Sequence, residues 1–482
     1  MHDPRLIFEK DHPGRRIVRF PGEETLPDLE TLIPKDYLRD EEAPLPEVGE
    51  LDLVRHFTHL SKRNKGVNDS FYPLGSCTMK YNPLFNETAS AQHGFTDLHP
   101  YQPIESVQGL LEAFYLAEKY LAEISGLPHV SLHPAAGAHG ELTALLVIRK
   151  YIDSLGDDKR RTVLIPDSAH GTNPASCTFS GFKTREIKSS KKTGLIDVES
   201  LKKAVGDDTA AIMVTNPNTL GLFETDIEEI CAIVHDAGGQ VYMDGANLNA
   251  IMGVTRPGDS GVDVMHFNLH KTFSTPHGCG GPGSGPIGVA DHLEPFLPVP
   301  RVAKAGDGYT LSTDYAQSIG RTRSFFGNST VIVRALCYIL ALGAEGIRDV
   351  AHNAVLNANY LRVKLGKTYP VAFDRTCMHE FVATPKGLGK ARAVDVAKRL
   401  IDLGIHPPTV YFPLIVPEAI MIEPTETESV DTLDRFVDAM VQIAREARDD
   451  LDQLLDAPHE TPVGRPDEVR AVKEPVLIWS KR

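Results

Sequence analysis

Residues 239–273 read GQVYMDGANLNAIMGVTRPGDSGVDVMHFNLHKTF, and this stretch determines the fold that the sequence predicts. It holds one apolar run that ends at Asp244 and a second that ends in the polar sequence His266-Phe-Asn-Leu-His-Lys-Thr-Phe273. Short apolar runs are typical of strands buried on both faces of a sheet. Strands are predicted at 162–166, 210–215, 240–244 and 285–290, with helices between them at 141–152 and 227–236. This alternation predicts an α/β protein with a mainly parallel sheet.

The sequence predicts four segments. Its first 60 residues are rich in proline and acid and lack sustained periodicity, which favours an extended arm. The carboxyl-terminal part contains a long helix at 347–365, strands around Glu380 and Ile420, and a charged helix at 430–455. The predicted segments are an N-terminal arm and entry segment (1–99), a large domain (100–345), a small α+β domain (346–455) and a polar tail (456–482).

Composition excludes several classes of protein. With 482 residues, 24% charged and 41% hydrophobic, the chain is neither disordered nor a membrane bundle. Its net charge of −15 argues against nucleic acid as the main partner. No signal-like apolar run opens the sequence, and the apolar stretch 331–342 is short and contains Arg334, so a cytoplasmic protein is expected. No metal site is predicted, since six scattered cysteines form no CxxC pair: Cys77, Cys177, Cys231, Cys279, Cys337 and Cys377.

Lys271 and Asp244 are the strongest candidates for chemistry. Lys271 directly follows a buried apolar segment and is flanked by His270 and Thr272; desolvation there makes an amine nucleophilic and suits a Schiff base. A surface lysine at a strand end would look the same in isolation. Asp244 lies 27 residues earlier, where a carboxylate can keep a pyridine nitrogen protonated, although Asp-Gly is also a common turn. Ala246 is small enough to lie under a flat ring.

The segment Ala136-Gly-Ala-His-Gly-Glu141 passes from strand to helix through small residues, and its backbone N–H groups predict a phosphate site. His170 either stacks on a ring or is a satisfied buried histidine. Residues 283–288 match GxGxxG, but prolines precede a β-like run there, so a dinucleotide site is rejected. The glycine-rich loop 276–286, which contains Cys279, is instead expected to shape the mouth of the site.

With these residues, the chain strongly resembles the glycine cleavage system P-protein, glycine dehydrogenase (decarboxylating), in its two-subunit bacterial form, subunit 2. The motifs that carry the resemblance are Pro73-Leu-Gly-Ser-Cys-Thr-Met-Lys80, Asp244-Gly-Ala-Asn-Leu-Asn249, Asn268-Leu-His-Lys-Thr-Phe273, His379-Glu-Phe381 and Ile422-Glu-Pro-Thr-Glu426. It implies a fold-type I enzyme with a seven-stranded large domain and pyridoxal 5'-phosphate bound as a covalent aldimine to Lys271. The implied cofactor-binding residues are Lys271, Asp244, Ala246, His170, Gly137, Ala138, His139, His270 and, more weakly, Thr219.

The resemblance also implies an activity and partners. Glycine would lose CO2, and its aminomethyl group would pass to the lipoyl disulfide of the H-protein. A separate subunit 1 would complete an α2β2 assembly, with the N-terminal arm embracing a partner. Two alternatives remain open from the residues. Another fold-type I enzyme, a cysteine desulfurase or aminotransferase, would need a nucleophilic cysteine or a substrate-binding arginine such as Arg321 or Arg323; a non-catalytic scaffold subunit would not need Lys271.

Overall fold

The computed structural model describes residues 5–15, 27–41, 43–278 and 283–478. The chain divides into two compact units, Met1–Asp69 and Ser70–Arg482. Cys279 and its neighbours in the glycine-rich loop lie outside the described residues. The predicted domain bounds at residues 99, 345 and 455 remain a proposal.

The first unit buries little of its own surface. Its described residues contain the helices α1 (Leu29–Leu32) and α2 (Glu50–Ser61) and two 3-10 turns. Among its described residues only Val48 and His56 are buried. Large apolar side chains are exposed instead, and they are Leu29, Leu32, Ile33, Tyr37, Leu45, Leu51, Val54, Phe57 and Leu60.

The second unit contains the remaining elements. Its helices are α3 (Leu84–Ser90), α4 (His93–Thr96), α5 (Gln108–Ser125), α6 (Gly137–Ser154), α7 (Thr172–Phe179), α8 (Val198–Ala204), α9 (Ile227–Asp236), α10 (Ser329–Leu365), α11 (Ala393–Asp402), α12 (Val430–Asp449), α13 (Asp452–Leu455) and α14 (Glu468–Lys473). Its strands are β1 (His129–Ser131), β2 (Thr162–Pro166), β3 (Lys183–Ile187), β4 (Thr209–Thr215), β5 (Gln240–Gly245), β6 (Val264–Phe267), β7 (Ile287–Val289), β8 (Arg301–Ala305), β9 (Gly308–Ser312), β10 (Phe381–Ala383), β11 (Thr409–Val410) and β12 (Ile420–Ile422).

The main sheet has seven strands in the order β1-β7-β6-β5-β4-β2-β3. Strands β6, β5, β4, β2 and β3 are parallel, and β7 is antiparallel to both β6 and β1. The predicted α/β class with a mainly parallel seven-stranded sheet is therefore confirmed. The register pairs Thr215 with Asp244 and Asp244 with His266, so these three residues lie side by side at one edge.

Both faces of this sheet are covered, because alternate residues of its buried strands enter different hydrophobic clusters. In β5, Val241 and Met243 pack in a cluster with α5, α9 and α10, whereas Tyr242 packs in a cluster with α6. In β4, Ile212 and Val214 pack in the same cluster as Val241 and Met243. Strands buried on two faces need apolar residues at every position, which is why they appear in the sequence as unbroken apolar runs.

A smaller antiparallel sheet, in the order β10-β12-β11, lies in the carboxyl-terminal part. Helix α12 packs in the same cluster as this sheet through buried side chains spaced three or four residues apart, including Leu433, Phe436 and Met440. Leu74 forms a bridge with Ile422, so the Gly-Ser-Cys-Thr segment is attached to this sheet. This stretch falls within the predicted N-terminal arm and entry segment (1–99), and nothing in the residue pattern indicates its attachment to this sheet.

Helices α10 and α12 differ from their predicted bounds. The predicted helix at 347–365 is the second half of α10, which begins at Ser329 and is broken at Gly343 with φ 61°. By length and composition alone α10 is long enough to span a membrane, with 39% of its most apolar window buried in the protein. Its first half is shorter than the roughly 20 residues that a span needs, and there Arg334 pairs with Glu87 at 2.7 Å. The predicted helix at 430–455 is interrupted at Asp450, between α12 and α13.

Candidate active site

A cavity of about 180 Å³ opens at the carboxyl ends of β4, β5 and β6, beside the amino terminus of α6. This is the edge where ligands bind in parallel α/β sheets. Eight of the nine candidate residues line it: Lys271, Asp244, Ala246, His170, Gly137, Ala138, His270 and Thr219. The fold therefore brings together residues that are distributed over more than 130 positions of the sequence.

Asp244 is buried and is oriented from two sides. Its Oδ1 accepts a hydrogen bond from the Ala246 backbone N–H at 3.0 Å and lies 3.6 Å from His266 Nε2. The Tyr242 hydroxyl lies 2.5 Å from His266 Nδ1, and burial raises the pKa of Tyr242, so the hydroxyl keeps its proton and donates it to that nitrogen. The remaining His266 proton then points from Nε2 toward Asp244. Burial lowers the pKa of His266, so this imidazole is neutral.

Lys271 lies four residues after β6 in a tight turn, where its own N–H donates to the Asn268 carbonyl. Its Nζ donates to the backbone carbonyl of Ser76 at 2.7 Å. Asp244 lies at the end of the adjacent strand, so the amine and the carboxylate line the same cavity. This is the arrangement that the sequence predicted for these two residues.

The phosphate end of the cavity is built from backbone. Helix α6 begins at Gly137 with no side-chain cap, which leaves its first N–H groups available to an anion. A Cβ on Gly137 would lie 2.4 Å from Asn268 Oδ1, so a larger residue there would force the Asn268 side chain to shift. Asn268 Oδ1 and Ser284 Oγ are buried and have no hydrogen-bond partner among the described residues.

His270 contributes a neutral N–H to the same end. Its Nδ1 accepts a hydrogen bond from the Ser284 backbone N–H at 3.2 Å, which places the ring proton on Nε2. Burial, followed by the charges of His277 and Lys271, lowers the pKa of His270 to about 3. The uncapped N–H groups of α6 and this imidazole line the cavity and suit a phosphate. Because Lys271 and Asp244 line the same cavity, the residues present fit pyridoxal 5'-phosphate.

The three remaining candidates are placed differently. The exposed His170 ring borders the cavity and contacts Phe412 edge-on, with centroids 5.9 Å apart. The Thr219 hydroxyl donates to the Ser168 carbonyl, so it is already engaged. The His139 side chain does not line the cavity, because its Nδ1 accepts a hydrogen bond from the Ala135 N–H at 3.1 Å.

Sequence reasoning gave no individual roles to a group we call the glutamate clamp: Ser76, Thr78, Glu380 and Glu423. The backbone N–H and hydroxyl of Ser76 both donate to Glu380, and those of Thr78 both donate to Glu423. Ser76 and Thr78 have φ values of 58° and 47°, which side chains rarely adopt. The two carboxylates thus hold a strained segment whose carbonyl accepts from Lys271. The signal in the sequence that could have identified Ser76 and Thr78 is the alternation of polar residues in the Gly-Ser-Cys-Thr-Met-Lys motif.

Cysteine and arginine chemistry of the alternative enzymes has little support in the described residues. Burial raises the pKa of Cys77 to about 11. Burial also raises the pKa of the other four described cysteines, so none of the five is a reactive thiolate. Arg323 donates to Asn328, and Arg321 lies over the Tyr101 ring, 5.0 Å from its centroid. Neither arginine lines the cavity.

Gly285→Ala tests the close packing at the phosphate end. A Cβ at residue 285 would lie 2.0 Å from the Ala136 carbonyl oxygen, a backbone atom that cannot move aside independently. We expect at least a tenfold weaker binding of pyridoxal phosphate and a free energy of unfolding lower by about 1–3 kcal/mol. Fluorescence titration and urea unfolding measure the two effects. Gly109→Ala, where nothing lies within 4 Å of the new Cβ, is the control; equal behaviour of the two variants would contradict the packing argument.

Sequence comparisons find two family profiles and several full-length relatives. A family profile described as glycine dehydrogenase, C-terminal domain, matches residues 350–461, and one described as aminotransferase class-V matches residues 140–281. A probable glycine dehydrogenase (decarboxylating) subunit 2 from Caldanaerobacter subterraneus subsp. tengcongensis is 56% identical over 480 residues, which is 99% of each chain. The protein of the same name from Thermotoga maritima is 54% identical over 98% of this chain and 99% of its own.

Solved structures agree on the fold. A crystal structure of glycine decarboxylase (P-protein) of the glycine cleavage system, in inhibitor-bound form, matches with a TM-score of 0.73 at 21% identity, over 86% of this chain and 94% of that one. A cysteine desulfurase from Thermococcus onnurineus matches with a TM-score of 0.61 at 14% identity, over 80% and 98%. With the aminotransferase class-V profile, these matches confirm the predicted fold-type I architecture.

Proposed function

This chain belongs to the family of glycine dehydrogenase (decarboxylating) subunit 2, and on that premise we propose how its site works. The protein is the glycine-decarboxylating component of a glycine cleavage system. It uses pyridoxal 5'-phosphate bound through Lys271, releases CO2, and transfers the aminomethyl group to the lipoyl disulfide of an H-protein. The observation that carries the proposal is that Lys271 and Asp244 line one cavity. This cavity ends at the uncapped amino terminus of α6.

When bound, pyridoxal phosphate supplies an electron-withdrawing ring that accepts the electron pair left behind by CO2. The residues of the chain orient and tune that ring. The Asp244 carboxylate, fixed by the Ala246 N–H and by neutral His266, provides the negative charge that keeps a pyridine nitrogen protonated. The first N–H groups of α6, the Ser284 hydroxyl and His270 Nε2 would hold the phosphate.

Lys271 is the group that we propose moves protons at the reacting carbon. Histidines around the cavity are poor proton carriers near neutral pH. Burial lowers the pKa of His277 to about 4 and of His379 to about 3, and it lowers the pKa of His170 as well. The Lys271 amine, held by the Ser76 carbonyl, is therefore the main donor and acceptor within the site.

The name of the relatives implies a partner subunit, and we propose subunit 1 of an α2β2 assembly as that partner. Exposed apolar side chains in the first unit support a role as an arm that packs on a partner, since a soluble monomer rarely exposes such surface. The tail after α14 also exposes apolar residues, namely Val476, Leu477 and Ile478. We propose a cytoplasmic location, as the sequence predicts.

The decisive test is exchange of the glycine carboxyl carbon with labelled CO2. With purified chain, subunit 1, pyridoxal phosphate and lipoylated H-protein, we expect exchange that depends on every component. Unlipoylated H-protein is the matched control and should give none. Release of sulfide from cysteine, or amino transfer to a keto acid, would support a desulfurase or aminotransferase instead. A complete mixture that binds the cofactor but exchanges no carbon would contradict the proposal.

A further inference from the structure

His379 is a buried histidine to which the function described above gives no role. The residue is 0% exposed, and neither Nδ1 nor Nε2 has a hydrogen-bond partner among the described residues. An imidazole always offers at least one N–H donor, and buried polar groups in proteins are nearly always hydrogen-bonded. An imidazole with two free nitrogens in the interior therefore needs an explanation, and its neighbours supply one.

The small antiparallel sheet brings His379 next to the two carboxylates of the glutamate clamp. The paired residues Phe381 and Ile422 end the ladder between β10 and β12. Glu380 and Glu423 are the next residues beyond this pair, so they lie opposite each other. One nitrogen of His379 and one carboxylate oxygen of each glutamate all lie within 4.8 Å of one another. Both glutamates are 0% exposed, like the histidine.

Two buried carboxylates in opposite positions need a compensating positive charge. Like charges directly opposite each other destabilise a sheet, and a buried environment strengthens their repulsion. Burial raises the pKa of both Glu380 and Glu423, and the charge of Glu423 raises the pKa of Glu380 further. Lys271 opposes both shifts, but its single positive charge balances only one carboxylate. A divalent cation balances two.

The distance between His379 and Glu380 suits two ligands of one metal ion. His379 Nε2 lies 3.6 Å from Glu380 Oε1, which is longer than the about 2.7–3.2 Å of an N–H···O hydrogen bond. Two ligand atoms that each lie ~2.1 Å from a zinc ion, at the tetrahedral angle, are about 3.4 Å apart. Imidazole nitrogen and carboxylate oxygen are both zinc ligands.

The glutamate clamp leaves acceptor positions free for a cation. A carboxylate has about four lone-pair sites. Glu380 uses two of them for the N–H and hydroxyl of Ser76, and Glu423 uses two for those of Thr78. Metal-binding carboxylates are commonly oriented by hydrogen bonds of this kind. The clamp therefore fixes both glutamates in place and still allows each of them to bind a metal ion.

We propose that His379, Glu380 and Glu423 bind a divalent transition-metal cation, for which zinc is the probe. The role of the ion is structural: it joins β10 to β12 and, through the glutamate clamp, holds the segment that contains Ser76 and Thr78. The sequence predicts no metal site because its cysteines form no CxxC pair, and this group contains no cysteine. The proposal goes beyond the proposed function and uses no step of its reaction.

A second group of possible metal ligands has to be separated from this one. Glu141, Asp244 and His266 also place one ligand atom each within 4.8 Å of one another. All three line the cavity that we assign to the cofactor. Zinc binding is therefore measured on protein loaded with pyridoxal phosphate, where that cavity is filled.

The test is a zinc titration of this holoprotein after treatment with a chelator and dialysis, with bound zinc measured by elemental analysis. We expect one zinc ion per chain. His379→Phe keeps a ring but removes both nitrogens, and Glu423→Gln keeps hydrogen-bonding groups for Thr78 but removes the charge. Each variant should bind zinc at least about tenfold more weakly, since even residues that only support metal ligands have effects of this size.

His133→Phe is the matched control. His133 is also buried, with 1% of the residue exposed, but it belongs to neither group of possible ligands. Its Nε2 lies 2.9 Å from the Pro300 carbonyl oxygen. This variant should bind zinc as the unmodified protein does. X-ray absorption at the zinc edge adds a readout on the unmodified protein, which should show an imidazole nitrogen and carboxylate oxygens at ~2.0–2.2 Å.

Three results would overturn the inference: folded holoprotein that binds no zinc at micromolar concentrations, equal binding by His379→Phe and the unmodified protein, or an edge spectrum without imidazole. If His379→Phe does not fold, Glu423→Gln and the edge spectrum still decide. Failure of the unmodified protein to bind pyridoxal phosphate would instead contradict the proposed function. The titration would then use Asp244→Asn, which removes the second group, so the two failures remain distinguishable.

Discussion

Lys271→Ala will bind pyridoxal phosphate without a covalent link and will lose carbon exchange by at least about 10³-fold. The amine of Lys271 is the nucleophile that lines the cavity opposite Asp244, and the neighbouring histidines are neutral and cannot replace it. After borohydride reduction and proteolysis, the peptide around residue 271 should carry the cofactor in the unmodified protein and none in the variant. Exchange of labelled CO2 into glycine measures the loss of activity.

Lys188→Ala is a suitable control, because Lys188 is an exposed lysine whose side chain pairs only with Glu186 and Asp167 at the surface. It should keep both the reduced label and the exchange. The Lys271 change leaves one carbonyl, that of Ser76, without its donor, which costs only about 1 kcal/mol, so the variant should stay folded. Exchange at the normal rate in a folded Lys271→Ala protein would refute the role assigned to this amine.

Lys80→Met is expected to lower the free energy of unfolding by about 3–5 kcal/mol, as for other broken buried ion pairs. The Lys80 side chain is 1% exposed, and its Nζ contacts Glu426 at 2.6 Å and the Thr272 carbonyl at 2.8 Å. Burial lowers the pKa of Lys80, but attraction to Glu426 more than offsets it and keeps the lysine charged. Without Lys80, the nearly buried Glu426 has no counterion. Denaturant unfolding measures the change.

Lys202→Met provides the comparison at the surface. Lys202 pairs with Glu199 and Glu229, but its side chain is 46% exposed, and its removal should cost less than about 1 kcal/mol. Adding Glu426→Gln to Lys80→Met removes the stranded charge and should recover part of the stability. A loss for Lys80→Met no larger than that for Lys202→Met would show that the buried pair contributes little.

The main sheet and its lysine could be predicted because the relevant signals are local. A strand buried on both faces is an unbroken apolar run, and the residues after it are at the ligand-binding edge. Asp244 and Lys271 follow consecutive strands of this kind, and the observed register places Asp244 beside His266. The helix amino terminus at Gly137 carries its own signal in small residues. The site residues themselves stay predictions until they are tested by substitution.

The glutamate clamp could not be predicted in the same way, because its partners are far apart in the sequence. Ser76 and Glu380 are separated by 304 residues, and Thr78 and Glu423 by 345. No periodicity relates such positions, and glutamate is usually a surface residue.

For His139, the sequence could not predict which way the side chain points. The motif correctly indicated where the phosphate end lies, but not which atoms of each residue face it. In the first turn of a helix, side chains lean back toward the amino terminus, and the His139 ring there accepts from the Ala135 N–H. Side-chain direction depends on this local hydrogen bond, which the residue order does not encode.

The hydrogen bond between Lys271 and the Ser76 carbonyl has a consequence for the enzyme during a turnover. A buried ammonium group without a partner costs several kcal/mol. Whenever its amine is not bonded to the cofactor, Lys271 has an acceptor already in place, fixed by Glu380 through both donors of Ser76. On the proposed function, the Gly-Ser-Cys-Thr segment would hold the lysine amine during a turnover, while the substrate occupies its place on the cofactor.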